Sequence, residues 1–315
     1  MPLHSLQKKQ LSNRIKAEAR KLGFFACGIS RAEALPGDAA RVEKWLEKGM
    51  QGEMQYLERN REKRYDATRL VDNARSVISV LFNYFPAEEL PEKGYYKIAK
   101  YAYGKDYHYI LKQKLALLLE KIENLTGKRE ARIFTDSAPV LDRAAARRAG
   151  LGFTGKNTLL INRQGGSFFF IGHIILDLDL TADREAVENY CGSCTKCIDA
   201  CPTAALSAFE LDARKCISYL TIEYRGEKIP DKFQGKWKQW IFGCDICQDV
   251  CPWNRKAKST PELAFQPSGL LLNMQKADWD SLDKPAFKQL FKGSAVERTG
   301  FKGFRRNIGF LSSEE

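Results

Sequence analysis

The sequence predicts an α/β (α+β) fold with a small cysteine-rich module set into it. Three observations carry this reading. Helical and strand-like periods are mixed from residue 5 to residue 177, two runs ending in Cys-Pro fall between residues 191 and 252, and hydrophobic residues make up 44% of the 315 positions. A chain of this length builds one large or two modest domains around a real core.

The elements follow in order. Residues 5–22 carry Leu6, Leu11, Ile15 and Leu22 among charges, an amphipathic helix that Gly23 ends. Phe24–Ile29 reads as a strand and residues 40–58 as helix. Ser76–Phe85 is an apolar strand stopped by Pro86. Tyr107–Leu125 is a long helix closed by Gly127. Arg132–Thr135 is a short strand running into Asp136-Ser137, and Pro139–Ala149 is a helix with proline in its first turn. Residues 157–162 and 167–177 are expected to pair as a hairpin around Gln164-Gly165-Gly166.

The amino-terminal stretch is charged throughout and has no apolar signal region, and no run reaches the length of a membrane span. The expectation is a cytoplasmic protein with no membrane contact. The formal net charge is +12, an excess that favours a polyanionic partner through counterion release.

Nine cysteines in such a compartment are not read as disulfides. Cys191, Cys194, Cys197 and Cys201-Pro202 have the C-x2-C-x2-C-x3-C-P spacing of bacterial ferredoxins. Cys244, Cys247 and Cys251-Pro252 repeat it without its first cysteine, which Cys216 supplies. Crossing the fourth ligands gives one [4Fe–4S] cluster on Cys191, Cys194, Cys197 and Cys251, and a second on Cys201, Cys216, Cys244 and Cys247. Zinc, the rival for C-x2-C pairs, does not call for the trailing Cys-Pro. Cys27, alone in an apolar context, reads as a buried structural thiol. Two clusters make a short electron wire, and about 60–80 residues would suffice for a plain ferredoxin-type carrier. The long segment ahead of the wire is expected to hold the acceptor.

Gly150–Asn157 nearly matches a P-loop, but Asn157 replaces the required Ser/Thr, and helix precedes loop where a strand should. It is read instead as a turn that lets backbone approach a bulky ligand. No Rossmann fingerprint is present. His4, His108 and His173 are not paired at ligand spacing, and His108 reads as structural. Asp136 at a strand end is a candidate acid, with capping of the next helix as its competing role. Residues 284–306 set Lys284, Lys288, Lys292, Arg298, Lys302, Arg305 and Arg306 among Phe287, Phe291, Phe301 and Phe304. Such a mixture suits RNA contact, or a closing segment whose phenylalanines face the core.

The paired cysteine motifs with Gly243–Pro252, together with Thr135–Arg143, Ala149–Lys156 and Gly104–His108, resemble epoxyqueuosine reductases over about residues 10–310. The resemblance implies a cobalamin-binding reductase-like core, similar to that of reductive dehalogenases, at 1–183. A double [4Fe–4S] module would occupy 184–262, and a basic segment packing on the core and contacting tRNA would occupy 263–315. It implies reduction of epoxyqueuosine to queuosine at the tRNA wobble position, with base-off cobalamin fed by an unidentified electron donor, in a monomer. Asp136 corresponds to the proton donor, which must be neutral and is therefore expected to have a pKa raised by burial. Arg64, Ala99, Leu160, Ile171, Ser218, Cys244 and Asp245 fall at cobalamin contacts and Arg225 near a tRNA contact, while Lys302, Arg305 and Arg306 are expected at the tRNA from the basic stretch itself. The C-terminal helical-repeat region of many relatives is expected to be lacking. A dehalogenase-like reductase, a ferredoxin-type carrier and an RNA-binding protein with structural clusters are the alternatives.

Overall fold

A computed structural model describes residues 4–91, 96–186 and 189–312. Its amino-terminal part is built from α1 (Ser5–Lys21), β1 (Ala26–Arg31), α2 (Pro36–Glu47), β2 (Ser76–Asn83), α3 (Tyr107–Thr126), β3 (Ala131–Phe134), α4 (Asp142–Arg148) and β4 (Phe169–Leu176). The four strands form one sheet in the order β1-β2-β4-β3, with every pair antiparallel. The mixed class therefore resolves to α+β.

The sheet is covered on both faces, which explains why β2 and β4 are apolar without alternation. α1 and α3 cover one face, where Ile15, Leu111, Leu115 and Leu118 pack with Ile78, Val80 and Ile174. α4 covers the other, where Ala145 and Ala146 meet Val77, Leu81 and Ile175. α4 ends so close to β1 that a Cβ on Gly28 would lie 2.0 Å from the Ala149 carbonyl oxygen. Only glycine permits that crossing.

The expected hairpin around Gln164–Gly166 does not form. Only Asn162 and Gly166 bridge there, Leu160–Ile161 pairs instead with Phe153–Thr154, and β4 pairs with β2 and β3. β4 buries both faces best in the middle of the sheet, while the Asn162 side chain accepts the Gln164 and Gly165 N–H groups and fixes a self-contained turn. The helix expected over 40–58 ends at Glu47, and the one expected from Pro139 begins at Asp142.

A second core joins residues 96–103, 213–242 and 271–311 around Trp237, Trp279, Phe242 and Phe304. Here lie α5 (Ile217–Ile222), α6 (Lys284–Leu290) and α7 (Gly300–Ser312). Among the described residues no helix is long and apolar enough to cross a membrane.

Candidate active site and cluster-binding loops

The cysteines lie near one another in the two expected sets, while among the described residues no group of three or more His, Cys, Asp or Glu side chains is placed to hold a metal ion. Cys197 lies within electrostatic reach of Cys191, Cys251 and Cys194, and Cys251 within reach of Cys191 and Cys194. Cys216 senses Cys201, while Cys244 senses Cys216 and Cys247. Cys247 senses Cys216 and Cys201 and, across the gap between the groups, Cys197. Backbone N–H groups already point at the sulfurs, from Lys156 to Cys191 Sγ and from Ala205 to Cys201 Sγ, both at 3.4 Å. Such donors stabilise thiolate ligands and tune cluster potential. Lys156 Nζ donates to the carbonyls of Gly192 at 2.8 Å and Cys194 at 3.0 Å and ties this end of the glycine-rich turn to the cysteine loop, while a Cβ on Gly152 or Gly155 would collide with Ile161. Cys27 lies apart, its thiol pushed up to about 12 by burial, as befits a structural residue.

Between the sheet and the loop carrying Cys244 and Cys247 lies a cleft of about 200 Å³, lined by Tyr84, Tyr101, Tyr107, Leu160, Phe170 and Ile171 among others. Its polar rim is Arg143, Ser167 and Gln248. Leu160 and Ile171, both expected at the cofactor, line this cleft. Ala99 joins them through the cluster loop: its N–H donates to the Phe242 carbonyl at 2.8 Å, and the Lys100 N–H donates to Asp245 Oδ2 at 2.7 Å. The loop runs so close that a Cβ on Gly243 would sit 2.5 Å from Ala99 Cβ. Ser218 is tied to the same place, since Thr221 Oγ1 accepts from the Gly243 N–H and donates to the Ser218 carbonyl. Arg64 stands further off on the turn 61–65, bonded to the Tyr56 carbonyl, with its Nε buried and unpartnered. The aromatic and aliphatic lining with three polar groups is chemically suited to one face of a corrin, but a cleft of about 200 Å³ is smaller than pockets that enclose drug-sized ligands and would cover only part of cobalamin.

Asp136 adjoins this cleft through Tyr107, which lines it. Asp136 has φ 50°, and its side chain is 61% exposed. It does not cap α4, whose first turn takes no side-chain cap. Tyr107, stacked on Phe170 at 4.1 Å, donates its hydroxyl to Asp136 Oδ2 at 2.6 Å. His108 Nε2 lies 3.6 Å from the same oxygen, and its Nδ1 lies 2.7 Å from Asp106 Oδ1. The expected raised pKa is not found. Burial pushes the Asp136 carboxyl up, but the interactions with His108 and Tyr107, with help from Arg298, outweigh it and hold the group below its ordinary value. The high exposure of the side chain weakens the burial effect further. His108 moves the other way. Burial disfavours its charge, yet Asp106 and Asp136 lift it to about 9. The proton of the pair therefore rests on the imidazole. The sequence reading of His108 as structural did not foresee that it and Arg298 lie beside Asp136; Asp106-Tyr-His108 at the head of a helix was the available signal.

The basic segment divides by what its side chains touch. Phe287, Phe291 and Phe304 are buried around Trp279 and face the core. Arg306 spends its guanidinium on the carbonyls of Leu220, Tyr224 and Gly226 at 2.8–2.9 Å, and Arg305 Nη1 bonds the carbonyls of Trp279 and Asp280. Both were expected at nucleic acid, and both are braces within the fold, because buried carbonyls beyond helix ends need donors. Lys302, 86% exposed, and the exposed Arg225 remain open to solvent.

Residues 190–254 match the sequence family described as a 4Fe-4S double cluster binding domain, and residues 64–137 match the one described as epoxyqueuosine reductase QueG, DUF1730. The epoxyqueuosine reductase of Leadbetterella byssophila is 52% identical over 303 residues, which cover 96% of this chain and 99% of that one. The fold is similar to that of epoxyqueuosine reductase from Streptococcus thermophilus (TM-score 0.85, 30% identity, covering 96% of this chain and 80% of that one). It is also similar to an epoxyqueuosine reductase crystallised with an epoxyqueuosine-modified tRNA-Tyr stem loop (TM-score 0.87, 27% identity, 97% and 81%). With two cluster-binding cysteine groups beside an acid-bearing cleft, and with identity and coverage of this extent, the chain belongs to the epoxyqueuosine reductase family of oxidoreductases.

Proposed function

We propose that this protein reduces epoxyqueuosine to queuosine at the tRNA wobble position, with electrons from two [4Fe–4S] clusters and cobalamin in the cleft. Residues 1–183 form the catalytic part, 184–262 the cluster part, and 263–315 a segment packed on the core, working as a monomer in the cytoplasm. The observation that carries the reading is the Tyr107–Asp136–His108 constellation beside an aromatic cleft that the Cys244–Cys247 loop borders.

Ala99, Leu160, Ile171, Ser218, Cys244 and Asp245 would hold cobalamin, with Arg64 at its outer edge. Bound there, cobalamin would supply a low-potential metal centre for passing electrons from the clusters to the substrate. The chain's own task is protonic. Removing an epoxide oxygen as water while leaving an alkene consumes two electrons and two protons, and negative charge builds on the oxygen as its C–O bond opens. Asp136 delivers the proton there. Because its own carboxyl is held low and His108 is held up, the proton is stored on His108 and passes through Asp136 to the oxygen. Tyr107 keeps the carboxylate aimed. Its hydroxyl stays protonated, with a pKa raised first by burial and then by Asp136. Arg225 and Lys302 are the cations left to meet the tRNA backbone.

Nucleoside mass spectrometry of tRNA from a strain lacking this protein tests the proposal. Epoxyqueuosine is expected to accumulate, and restoring the gene is expected to convert it to queuosine. Unchanged queuosine in a deletion strain with no second reductase would overturn the reading.

A further inference from the structure

The two cysteine groups face different ways. Cys244 lies between buried Gly243 and Asp245, and Gln248, one residue past Cys247, lines the cleft. This group is the inner one. Around Cys191, Cys194 and Cys197 the chain is open, with Gly192, Ser193, Thr195 and Lys196 all exposed. This group is the outer one, and electrons arriving from solution reach it first.

Its surroundings are built rather than merely charged. Phe153, Tyr190 and Trp253 pack edge to face beside Cys191 and Cys251, with ring centroids 5.2, 5.7 and 6.1 Å apart. The Arg163 guanidinium lies 4.4 Å over Tyr190, and Lys256 Nζ lies 4.8 Å over Trp253. Lys256 also donates to the Arg163 carbonyl at 3.2 Å, which ties the two together. Lys156 is strapped to the cysteine loop, and Lys196 and Arg255 are exposed beside it. Among the described residues of this collar the acid is Asp199, which accepts from the Thr195 hydroxyl. Fixed cations on an aromatic rim, above the more exposed of two clusters, favour a protein partner of opposite charge that must come close without being held tightly.

We propose that this collar is the docking face of a small acidic electron-transfer protein carrying a flavin. The proposal rests on the cluster assignment of the proposed function. Each encounter moves one electron: the partner's flavin hydroquinone becomes its semiquinone, and the outer cluster is reduced. Two encounters supply the two electrons that epoxide removal consumes, and the protons come from the solvent side of His108. An RNA is the less favoured occupant, because Arg225 and Lys302 lie open elsewhere for that role.

The test uses cluster-loaded protein and an acidic flavodoxin in its hydroquinone form, with cluster bleaching followed by anaerobic stopped flow in the absence of tRNA. In Arg163→Glu/Lys256→Glu the bimolecular rate at low salt is expected to fall about tenfold and to lose most of its salt dependence. Reduction by dithionite, iron content and affinity for a tRNA stem loop should stay unchanged. The milder Arg163→Gln/Lys256→Gln should fall between, which keeps the test valid if the reversal disturbs a cluster. An unchanged flavodoxin rate overturns the proposal, and so does a loss of tRNA affinity with the flavodoxin rate intact, which would make the collar an RNA surface. The measurement needs no epoxide substrate, so its failure is separable from failure of the tRNA-reductase reading.

Discussion

The Tyr107 hydroxyl bonds Asp136 Oδ2 at 2.6 Å, and this contact joins the floor of the cleft to the loop that carries the acid. The Tyr107 ring is fixed independently, lying nearly parallel to Phe170 with 7° between planes. Tyr107→Phe therefore removes the aim and leaves the packing. In single turnover on an epoxyqueuosine stem loop, read by mass spectrometry, the variant is expected to be slower by about tenfold, the worth of one hydrogen bond to a charged group. Asp136→Asn should lose about 10²–10⁴-fold. Both should melt like wild type, and full activity in Asp136→Asn would remove the acid from the mechanism.

His108 gives the pH dependence. Its folded pKa, about 9, lies above the unfolded value of about 6.5. The imidazolium thus contributes stability that is fully present below pH 6.5 and is lost as pH rises through 9. The same proton feeds Asp136, so the single-turnover rate should fall over the same upper limb. His108→Gln should abolish that limb, and its melting temperature should approach that of wild type above pH 9. A wild-type rate flat from pH 7 to pH 10 would show that the proton comes from elsewhere.

The two-cluster character was legible because ligand spacing is local chemistry, and residues 190–254 match a double-cluster family; the crossing of Cys201 and Cys251 is a proposal from the ferredoxin spacing. The strands β2 and β4 were legible because their runs are wholly apolar. Their pairing was not. Gln164-Gly165-Gly166 is good turn chemistry, but burial of both faces of β4 outweighed it, and register in a covered sheet is set by tertiary contacts. The charge state of Asp136 escaped for the same reason. It depends on His108 and Tyr107, 28 and 29 positions away in the chain, and a rule that ties burial to a raised carboxyl pKa omits such partners.

Arg306 and Lys302 carry the same charge four residues apart and should behave differently. Arg306→Ala strips donors from three carbonyls beneath α7 and is expected to cost about 2–3 kcal/mol in denaturant unfolding. Because the Tyr224–Gly226 turn also displays Arg225, RNA affinity should weaken as a secondary effect. Among the described residues the Lys302 side chain bonds exposed Glu227 at 3.4 Å, so Lys302→Ala should leave stability unchanged and shallow the salt dependence of tRNA binding. A stable Arg306→Ala protein with selectively impaired binding would reverse this division.

The crossed ligand sets make a prediction that sequence order alone would not. On the proposed assignment, Cys251 of the second cysteine run serves with Cys191, Cys194 and Cys197, and Cys201 of the first run with Cys216, Cys244 and Cys247, neighbours whose charges they sense. Cys251→Ala should therefore damage the outer cluster and Cys201→Ala the inner one, each leaving the other cluster's electron paramagnetic resonance signal after reduction. The consequences differ with position. Without the inner cluster, the outer one should still be reduced by a protein donor, while turnover stops. Without the outer cluster, reduction of the inner one by a protein donor should slow sharply, while dithionite, small enough to diffuse close, should still reach it. If Cys251→Ala and Cys244→Ala instead removed the same signal, the ligands would follow sequence runs, and the order of the wire from surface to cleft would have to be redrawn.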